Sequence, residues 1–339
     1  MNLLVTAPIF SCSGYARVRH LLVQLHYLGV NIQITPFNIF DNVIFKDQML
    51  LQTFQNKLLF SDINLSVGIP LQFTMNSKYN IGYTMFEANS IPKIWVECCN
   101  RMNEIWVPSI QNKITFHLCG VTVPIYVFPY GIDNELFYPK KVKKKNFIFL
   151  SIGTYIDRKG WNILFSSFTK AFQNNSDIQL LVKFDGTNVG VEKELKEILK
   201  NPFIKMINSK IDDVDMIKLY HISNCFVLPT LGESFCLPAL EAIACGIPVI
   251  ISEQGGFRSF LNEDNAWFIR NKGRVPASDR LCNINPVYRN VWFDEPDEEH
   301  LVELMRQAVK EEKTVKVDEK FFYKNIAKDV YKRLEEIIR

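Results

Sequence analysis

The sequence predicts an α/β protein made of two Rossmann-like halves, and three stretches carry that reading. Residues 224–256, NCFVLPTLGESFCLPALEAIACGIPVIISEQGG, run as a buried strand (225–229), a loop, a two-turn helix (238–245) and a second buried strand (249–252). Residues 2–8 open the chain as another strand of the buried parallel type, followed by the turn Ser11-Cys12-Ser13-Gly14 and a helical pattern over 15–28 that Gly29 ends. Between these stretches stands KKVKKKN, with five lysines from Lys140 to Lys145. Like charges in a row repel and extend, so the run reads as a solvated linker between the halves, with contact to an anionic membrane as the second reading.

Size and composition agree with this organisation. A chain of 339 residues with 47% hydrophobic and 22% charged residues has the length of about two domains and can bury two cores. A net charge of +3 and a pI near 8.3 are too mild to imply a nucleic-acid partner. The eight cysteines form no C-x-x-C pair, and several, such as Cys225, Cys236 and Cys245, sit inside apolar runs. That pattern favours buried thiols in a reducing cytoplasm over a disulfide frame or a zinc site. No apolar stretch reaches the ~18 residues needed to cross a bilayer, and the N-terminus is not shaped like a cleaved signal peptide.

The first half continues in βα rhythm. Residues 30–37, 63–68 and 80–86 read as strands, 92–102 as a helix begun by Pro92, and 104–108 and 124–129 as strands around a helix at 110–118. Gly14 allows an anion to approach the backbone, but G-x-G-x-x-G and G-x-x-x-x-G-K-[ST] are both absent, which argues against a nicotinamide enzyme and a P-loop NTPase.

Beyond the lysines, 147–152 reads as a strand, GTYIDRKG (153–160) as a loop and 161–172 as a helix. A strand (179–184), a charged helix (192–200), a strand (204–208) and a helix (214–223) follow. Residues 271–291, with Gly273, Pro276, Pro286 and no clear period, read as a long loop, a candidate lid. Residues 297–310 form a helix with acids at its start and a lysine at its end, and 321–338 form an amphipathic helix presenting Phe322, Ile326, Val330 and Leu334 near one face.

The unit at 224–256 concentrates the chemistry. Pro238 suits the first helical position and Gly246 a left-handed C-cap, so sequence alone brackets the helix. A right-handed parallel βαβ unit places the loop 230–237 at the carboxyl edge of the sheet, where open α/β folds bind ligands. The backbone amides of Ser234, Phe235, Cys236 and Leu237 gather there toward the helix N-terminus, which suits a phosphate. Glu233 in the loop and Glu241 in the first turn of the helix flank them. Taken singly, Glu241 can be a helix-dipole residue and Glu233 a solvated one; together with an anion site they suit the hydroxyls of a nucleotide sugar.

Glu233-x7-Glu241, embedded in GESFCLPALEAIACGIPVI and followed by Gly255-Gly256, resembles the signature of retaining glycosyltransferases of family 4, among the group 1 glycosyl transferases. The resemblance implies the GT-B fold, with two Rossmann-like domains facing each other across a cleft and a C-terminal helix crossing back to the first. The acceptor-side domain is then 1–139 with 320–339, the linker 140–146 and the donor-binding domain 147–319. Tyr130-Gly131-Ile132-Asp133 with Phe137 and Pro139 resembles the segment with which family members leave the first domain.

The resemblance implies that Glu233 contacts donor-sugar hydroxyls, Glu241 holds the ribose and the amides of residues 234–237 hold the diphosphate. Lys159 matches the family's diphosphate-binding lysine. Thr154 stands after Gly153 where the family has arginine, and Arg158 is expected to supply the missing charge. Gly14 is expected to face the donor, Lys210 and Ile211 to contact the base, and Tyr83, Glu87 and Trp95 to lie on the acceptor side, with core packing as the alternative for Trp95. Gly255-Gly256-Phe257-Arg258-Ser259 resembles the family's G-G-x-x-E loop with serine in place of glutamate. The implied activity is metal-independent, cofactor-free transfer from a UDP- or GDP-sugar, ahead of an ADP-sugar, to a glycan, lipid-linked or other hydroxyl acceptor. Alternatives are a nucleotide-sugar epimerase or hydrolase of the same fold and a non-catalytic nucleotide-sugar-binding scaffold.

Overall fold

The computed structural model describes residues 1–11, 14–37, 47–55, 60–173, 175–184 and 192–339. Cys12 and Ser13 of the expected first turn lie outside them. The chain divides into two compact units, one formed by Met1–Asp133 with Asp318–Arg339 and the other by Asn134–Val317.

The first unit is built from β1 (Asn2–Ala7), α1 (Val18–Tyr27), β2 (Asn31–Pro36), α2 (Gln48–Gln55), β3 (Ile63–Val67), β4 (Tyr79–Tyr83), α3 (Lys93–Cys99), β5 (Glu104–Val107), α4 (Ile110–Leu118) and β6 (Ile125–Val127). Its strands pair in parallel in the order β2-β1-β3-β4-β5-β6. The apolar runs are buried on both faces, as a sheet covered by helices requires: every residue of β3 and β5 is buried. The order reverses between β1 and β3, so ligand-accessible loops belong at the carboxyl ends of those two strands. Gly14 lies on the β1 side of this switch, in a short 3-10 turn over Gly14–Arg17 that precedes α1. Ser109 caps α4 by accepting the Asn112 amide at 3.2 Å. The buried face of helix α2, which went unread in the sequence, is only two residues, Leu51 and Phe54.

The second unit comprises β7 (Phe147–Ile152), α5 (Trp161–Ala171), β8 (Ile178–Phe184), α6 (Glu192–Ile198), β9 (Ile204–Asn208), α7 (Asp213–Ile222), β10 (Cys225–Leu228), α8 (Leu237–Ala244), β11 (Val249–Ser252), β12 (Ala266–Ile269), β13 (Asn271–Pro276), α9 (Asp279–Ile284), β14 (Trp292–Pro296) and α10 (Glu298–Ala308). Six strands form a parallel sheet in the order β12-β11-β10-β7-β8-β9. This is the doubly wound order, and its reversal lies between β7 and β10. The core joins β7, β8, β10 and β11 through Phe149, Leu180, Val182, Val227 and Ile250 to Phe165 and Phe168 of α5 and Leu301 and Met305 of α10. Full burial of each such side chain contributes about 1.5–3 kcal/mol.

Residues 271–291 depart from the expected long loop. They hold β13, α9 and a 3-10 turn at Pro286–Tyr288, and β13 pairs antiparallel with β14 as a separate two-stranded ribbon. The strand escaped reading because five of its six residues are exposed, leaving no apolar alternation. Pro276 ends β13 and Pro286 starts the 3-10 turn, places where a missing N–H costs little.

The last helix, α11 (Tyr323–Ile338), belongs to the first unit and packs on α1. Its buried face is Tyr323, Ile326, Ala327, Val330 and Leu334, one position on from the expected Phe322. Tyr323 stacks on His20 with ring centroids 5.3 Å apart, and its hydroxyl donates to the Arg17 carbonyl at 3.2 Å. A Cβ on Gly131 would come within 2.9 Å of Tyr323 and Ile326, so this glycine permits the close approach of the helix. Arg333 of α11 donates to Glu104 Oε2 at 2.6 Å, and Tyr79 and Trp106 donate to the same carboxylate at 2.9 and 2.6 Å.

Candidate functional site

The switch between β7 and β10 brings together the two loops singled out in the sequence, 153–160 after β7 and 230–237, which the structure sets at 229–236 after β10. The first loop turns through a 3-10 segment, Asp157–Lys159, closed by Gly160 in the left-handed region at φ 69°. A Cβ on Gly160 would stand 1.9 Å from the Pro229 carbonyl oxygen, so only glycine lets the turn seat against the end of β10. Two contacts then stitch the loops together: the Leu231 amide donates to the Arg158 carbonyl at 2.8 Å, and Thr230 Oγ1 lies 3.1 Å from the same oxygen.

Within this frame Glu233, Lys159 and Arg158 converge, and all three are buried. Lys159 Nζ donates to Glu233 Oε1 at 2.5 Å, Arg158 Nη1 donates to the same oxygen at 3.2 Å, and Thr230 Oγ1 adds a third bond at 3.2 Å. Arg158 Nη1 also donates to the Gly232 carbonyl. Oε2 of Glu233 accepts no hydrogen bond from the described residues. Burial alone would push the Glu233 carboxyl up, but the charges of Lys159 and Arg158 outweigh it and hold the group below the usual carboxylate range. Two cations thus meet at one carboxylate oxygen, and both are of the kind that binds phosphate oxygens.

Gly153 serves this lysine. A Cβ there would lie 3.3 Å from Lys159 Cε, so the glycine gives the aliphatic stem its track across the end of β7. Thr154 is exposed and its carbonyl accepts the Trp161 indole N–H at 2.9 Å, which fixes α5 and brings no cation.

The amide loop is equally built. Ser234, Phe235 and Cys236 are buried, and the Phe235 ring packs on Phe260 at 5.1 Å, so this side chain anchors the loop. Cys236, the N-cap of α8, is left-handed at φ 67°, which turns the chain sharply into the helix begun by Leu237. In the first turn of α8, Pro238 has no N–H to satisfy and the Ala239 and Leu240 amides donate to the Cys236 carbonyl at 3.1 and 3.4 Å. The Gly256 amide donates to the Glu233 carbonyl at 3.0 Å, tying the glycine pair to the carboxylate loop. Ser259 turns its hydroxyl back onto the Gly256 carbonyl at 2.9 Å.

Glu241 lies in the second turn of α8, not the first, and is buried. Its Oε2 accepts the Tyr220 hydroxyl at 2.7 Å, and that hydroxyl also reaches the Pro238 carbonyl at 3.2 Å. Burial and the Glu241 charge push the Tyr220 phenol well above its ordinary value, so it remains a donor. Neither Tyr220 nor Thr230 was singled out in the sequence. The only signal for Tyr220 is a phenol near the end of a helix with no marked apolar face, and Thr230 opens the loop without a motif of its own. Gly246 ends α8 at φ 78°, the left-handed cap its position in the sequence suggests.

Other expected residues lie elsewhere. Lys210 and Ile211 sit between β9 and α7, with Lys210 exposed. In the first unit Gly14 is exposed beside Met85, at 3.0 Å from the position of an added Cβ. Tyr83 is a core residue: it is buried, donates to the Phe128 carbonyl at 2.7 Å and stacks on Tyr130. Trp95 is buried edge-on to Phe86. Both belong to packing rather than to an acceptor surface. Glu87 is half-buried past the end of β4, close enough to Tyr15 for its charge to raise that phenol. Of the lysine run, Lys140, Lys141, Lys143 and Lys145 are exposed, whereas Lys144 is half-buried and donates to the Ser223 carbonyl.

Residues 133–280 match the family model described as Glycosyl transferases group 1. A putative glycosyltransferase 45 of the Sulfolobus islandicus filamentous virus is 24% identical over 243 residues, covering 67% of this chain and 65% of that protein. The chain spans just under two thirds of that relative and about a third of others it matches. Among solved structures, the sucrose-phosphate synthase from Thermosynechococcus elongatus superposes with a TM-score of 0.66 at 16% identity, covering 100% of this chain and 99% of that one. Anabaena HepE in complex with UDP-glucose does so with a TM-score of 0.65 at 13% identity, covering 99% and 100%. The fold is thus the two-unit α/β GT-B fold.

Proposed function

We propose that this chain is a group 1 glycosyltransferase, of the retaining and metal-independent family 4 type, that moves a sugar from a nucleotide diphosphate to a hydroxyl acceptor. The observation that carries it is the one-sided pairing of Glu233. Three donors occupy Oε1, which locks the carboxylate in place, and Oε2 is left to accept a sugar hydroxyl. Breaking the anomeric bond places negative charge on the departing diphosphate, so stabilising that charge is the main catalytic task. Lys159, Arg158 and the amides after Glu233 meet it with fixed charge. In the retaining reading the acceptor attacks from the face the phosphate leaves, the phosphate oxygen takes the acceptor proton, and no protein nucleophile is formed. Glu241, oriented by Tyr220, holds the ribose.

The likeness to a fold that binds UDP-glucose in HepE supports a UDP-linked donor, and the free, buried thiols of Cys225, Cys236 and Cys245 support a reducing cytoplasmic setting. The acceptor is a glycan, a lipid-linked sugar or another hydroxyl compound. A non-catalytic sugar-nucleotide-binding subunit is the second reading, favoured by Thr154, which brings no cation where a second phosphate-binding charge is expected. The test is a thermal-shift screen with UDP, GDP and ADP and their sugars, followed by turnover of the best donor. Stabilisation by a UDP-sugar, with donor turnover lost in Glu233→Gln, is the expected result. Binding without hydrolysis or transfer to any acceptor supports the subunit reading, and no binding refutes both.

A further inference from the structure

We propose that Arg280 is a positioning residue that holds the Arg158-Lys159 turn in register, and that this is the task of the segment between β12 and α10. Asp157 opens the turn that carries both cations. Its Oδ1 accepts from Arg280 Nη2 and its Oδ2 from Ser278 Oγ, so both carboxylate oxygens are taken by α9 and its N-cap. Arg280 Nη1 reaches Glu194 Oε2 at 3.3 Å, and Glu194 Oε1 accepts the Tyr155 hydroxyl at 2.9 Å. The chain of contacts Tyr155, Glu194, Arg280, Asp157, Ser278 therefore clamps the loop 153–160 on both flanks. Asp157, Arg158, Ser278 and Arg280 border one cavity of about 380 Å³, which places the clamp next to the cation that donates to Glu233.

The clamp is separable from the fold. The main core of the unit draws no residue from between Ile269 and Leu301. Arg280 is also partly exposed, with 41% of its side chain accessible. Loss of its charge then releases the turn without opening the core. The backbone bonds that define the turn are Lys159 N–H to the Ile156 carbonyl at 3.0 Å and Gly160 N–H to the Asp157 carbonyl at 2.9 Å. These two amides report directly on the clamp.

The inference rests on the donor-site reading, and the experiment separates the two. Full-length wild type, Arg280→Ala, Arg280→Lys and Asp157→Asn are titrated with UDP by calorimetry and examined without nucleotide by amide hydrogen exchange. An exposed ion pair of this kind supports an effect of up to about fivefold, so Arg280→Ala is expected to weaken UDP by about twofold to fivefold. Arg280→Lys is expected to recover part of the affinity. The double variant Arg280→Ala/Asp157→Asn is expected to lose less than the sum of the two single changes, because the two share one contact. Exchange at Lys159 and Gly160 should quicken in Arg280→Ala while the amides of β7 and β10 keep their protection. Unchanged exchange at those two amides overturns the proposal whether or not nucleotide binds. Equal UDP affinity of wild type and Arg280→Ala overturns it too, and failure of wild type itself to bind UDP overturns the UDP-donor reading instead.

Discussion

Lys159 is shared between two anions, the Glu233 carboxylate it holds now and the diphosphate it is proposed to meet, and the consequences can be separated by substitution. Lys159→Ala is expected to cut donor turnover by about 10²–10³-fold, the usual cost of removing one preorganised group facing a developing charge. Steady-state kinetics with the donor identified by thermal shift checks this; unchanged turnover contradicts the mechanism. Because Glu233 is held below the ordinary carboxylate value of 4.5, its ion pairs stabilise the fold above that pH and lose this contribution as the pH falls through the depressed value. The stability difference between wild type and Glu233→Gln should be flat above about pH 5.5 and shrink toward pH 3, as read by denaturant midpoints. Tyr220→Phe removes a hydrogen bond to a charged group, worth about 1.5–3 kcal/mol where it is made. Nucleotide affinity is expected to fall about tenfold with little change in turnover at saturating donor, since Glu241 keeps its place on α8 but loses its orientation.

The elements explain what was legible beforehand. The unit from β10 to β11 could be bracketed to within a residue because Pro238 and Gly246 mark the helix ends and the flanking strands are apolar throughout. Lys159 was picked out by its match to the family's diphosphate-binding lysine, in the loop after the first strand of its sheet. The partners of these residues were not. Tyr220 and Glu241 meet across 21 positions and two elements, Arg158 and Glu233 across 75, and no local period records such pairs. Tyr83 and Trp95 show the converse, since an aromatic residue near a strand end or in a helix has the same sequence pattern whether it faces a ligand or a core. The β13–β14 ribbon lacked a pattern because its first strand is exposed. At this scale Gly160→Ala is the sharpest test of the β7 loop. A methyl group set 1.9 Å from a backbone oxygen, at a left-handed φ, must displace the turn. The expected cost is about 2–4 kcal/mol by chemical denaturation, with nucleotide binding lost in the fraction that stays folded.

At the scale of the whole molecule, the first unit depends on the far end of the chain. Arg333 holds the buried Glu104 from α11, and breaking a buried pair by removing one partner costs about 3–5 kcal/mol. Arg333→Ala is therefore expected to lower the stability of the first unit by roughly 2–4 kcal/mol, discounted for the partial exposure of the guanidinium. A chain ending at Val317 should lose that unit's cooperative unfolding while Asn134–Val317 keeps its own, as two-transition calorimetry would show. Because one unit is interrupted in sequence by the other, the order of synthesis is not the order of completion. At about 5–20 residues per second, the ribosome spends roughly 10–40 s on Asn134–Val317 before the strip that seals α1 emerges. The part of the protein made first is thus the last to close, and for that interval its uncovered apolar flank is available to chaperones.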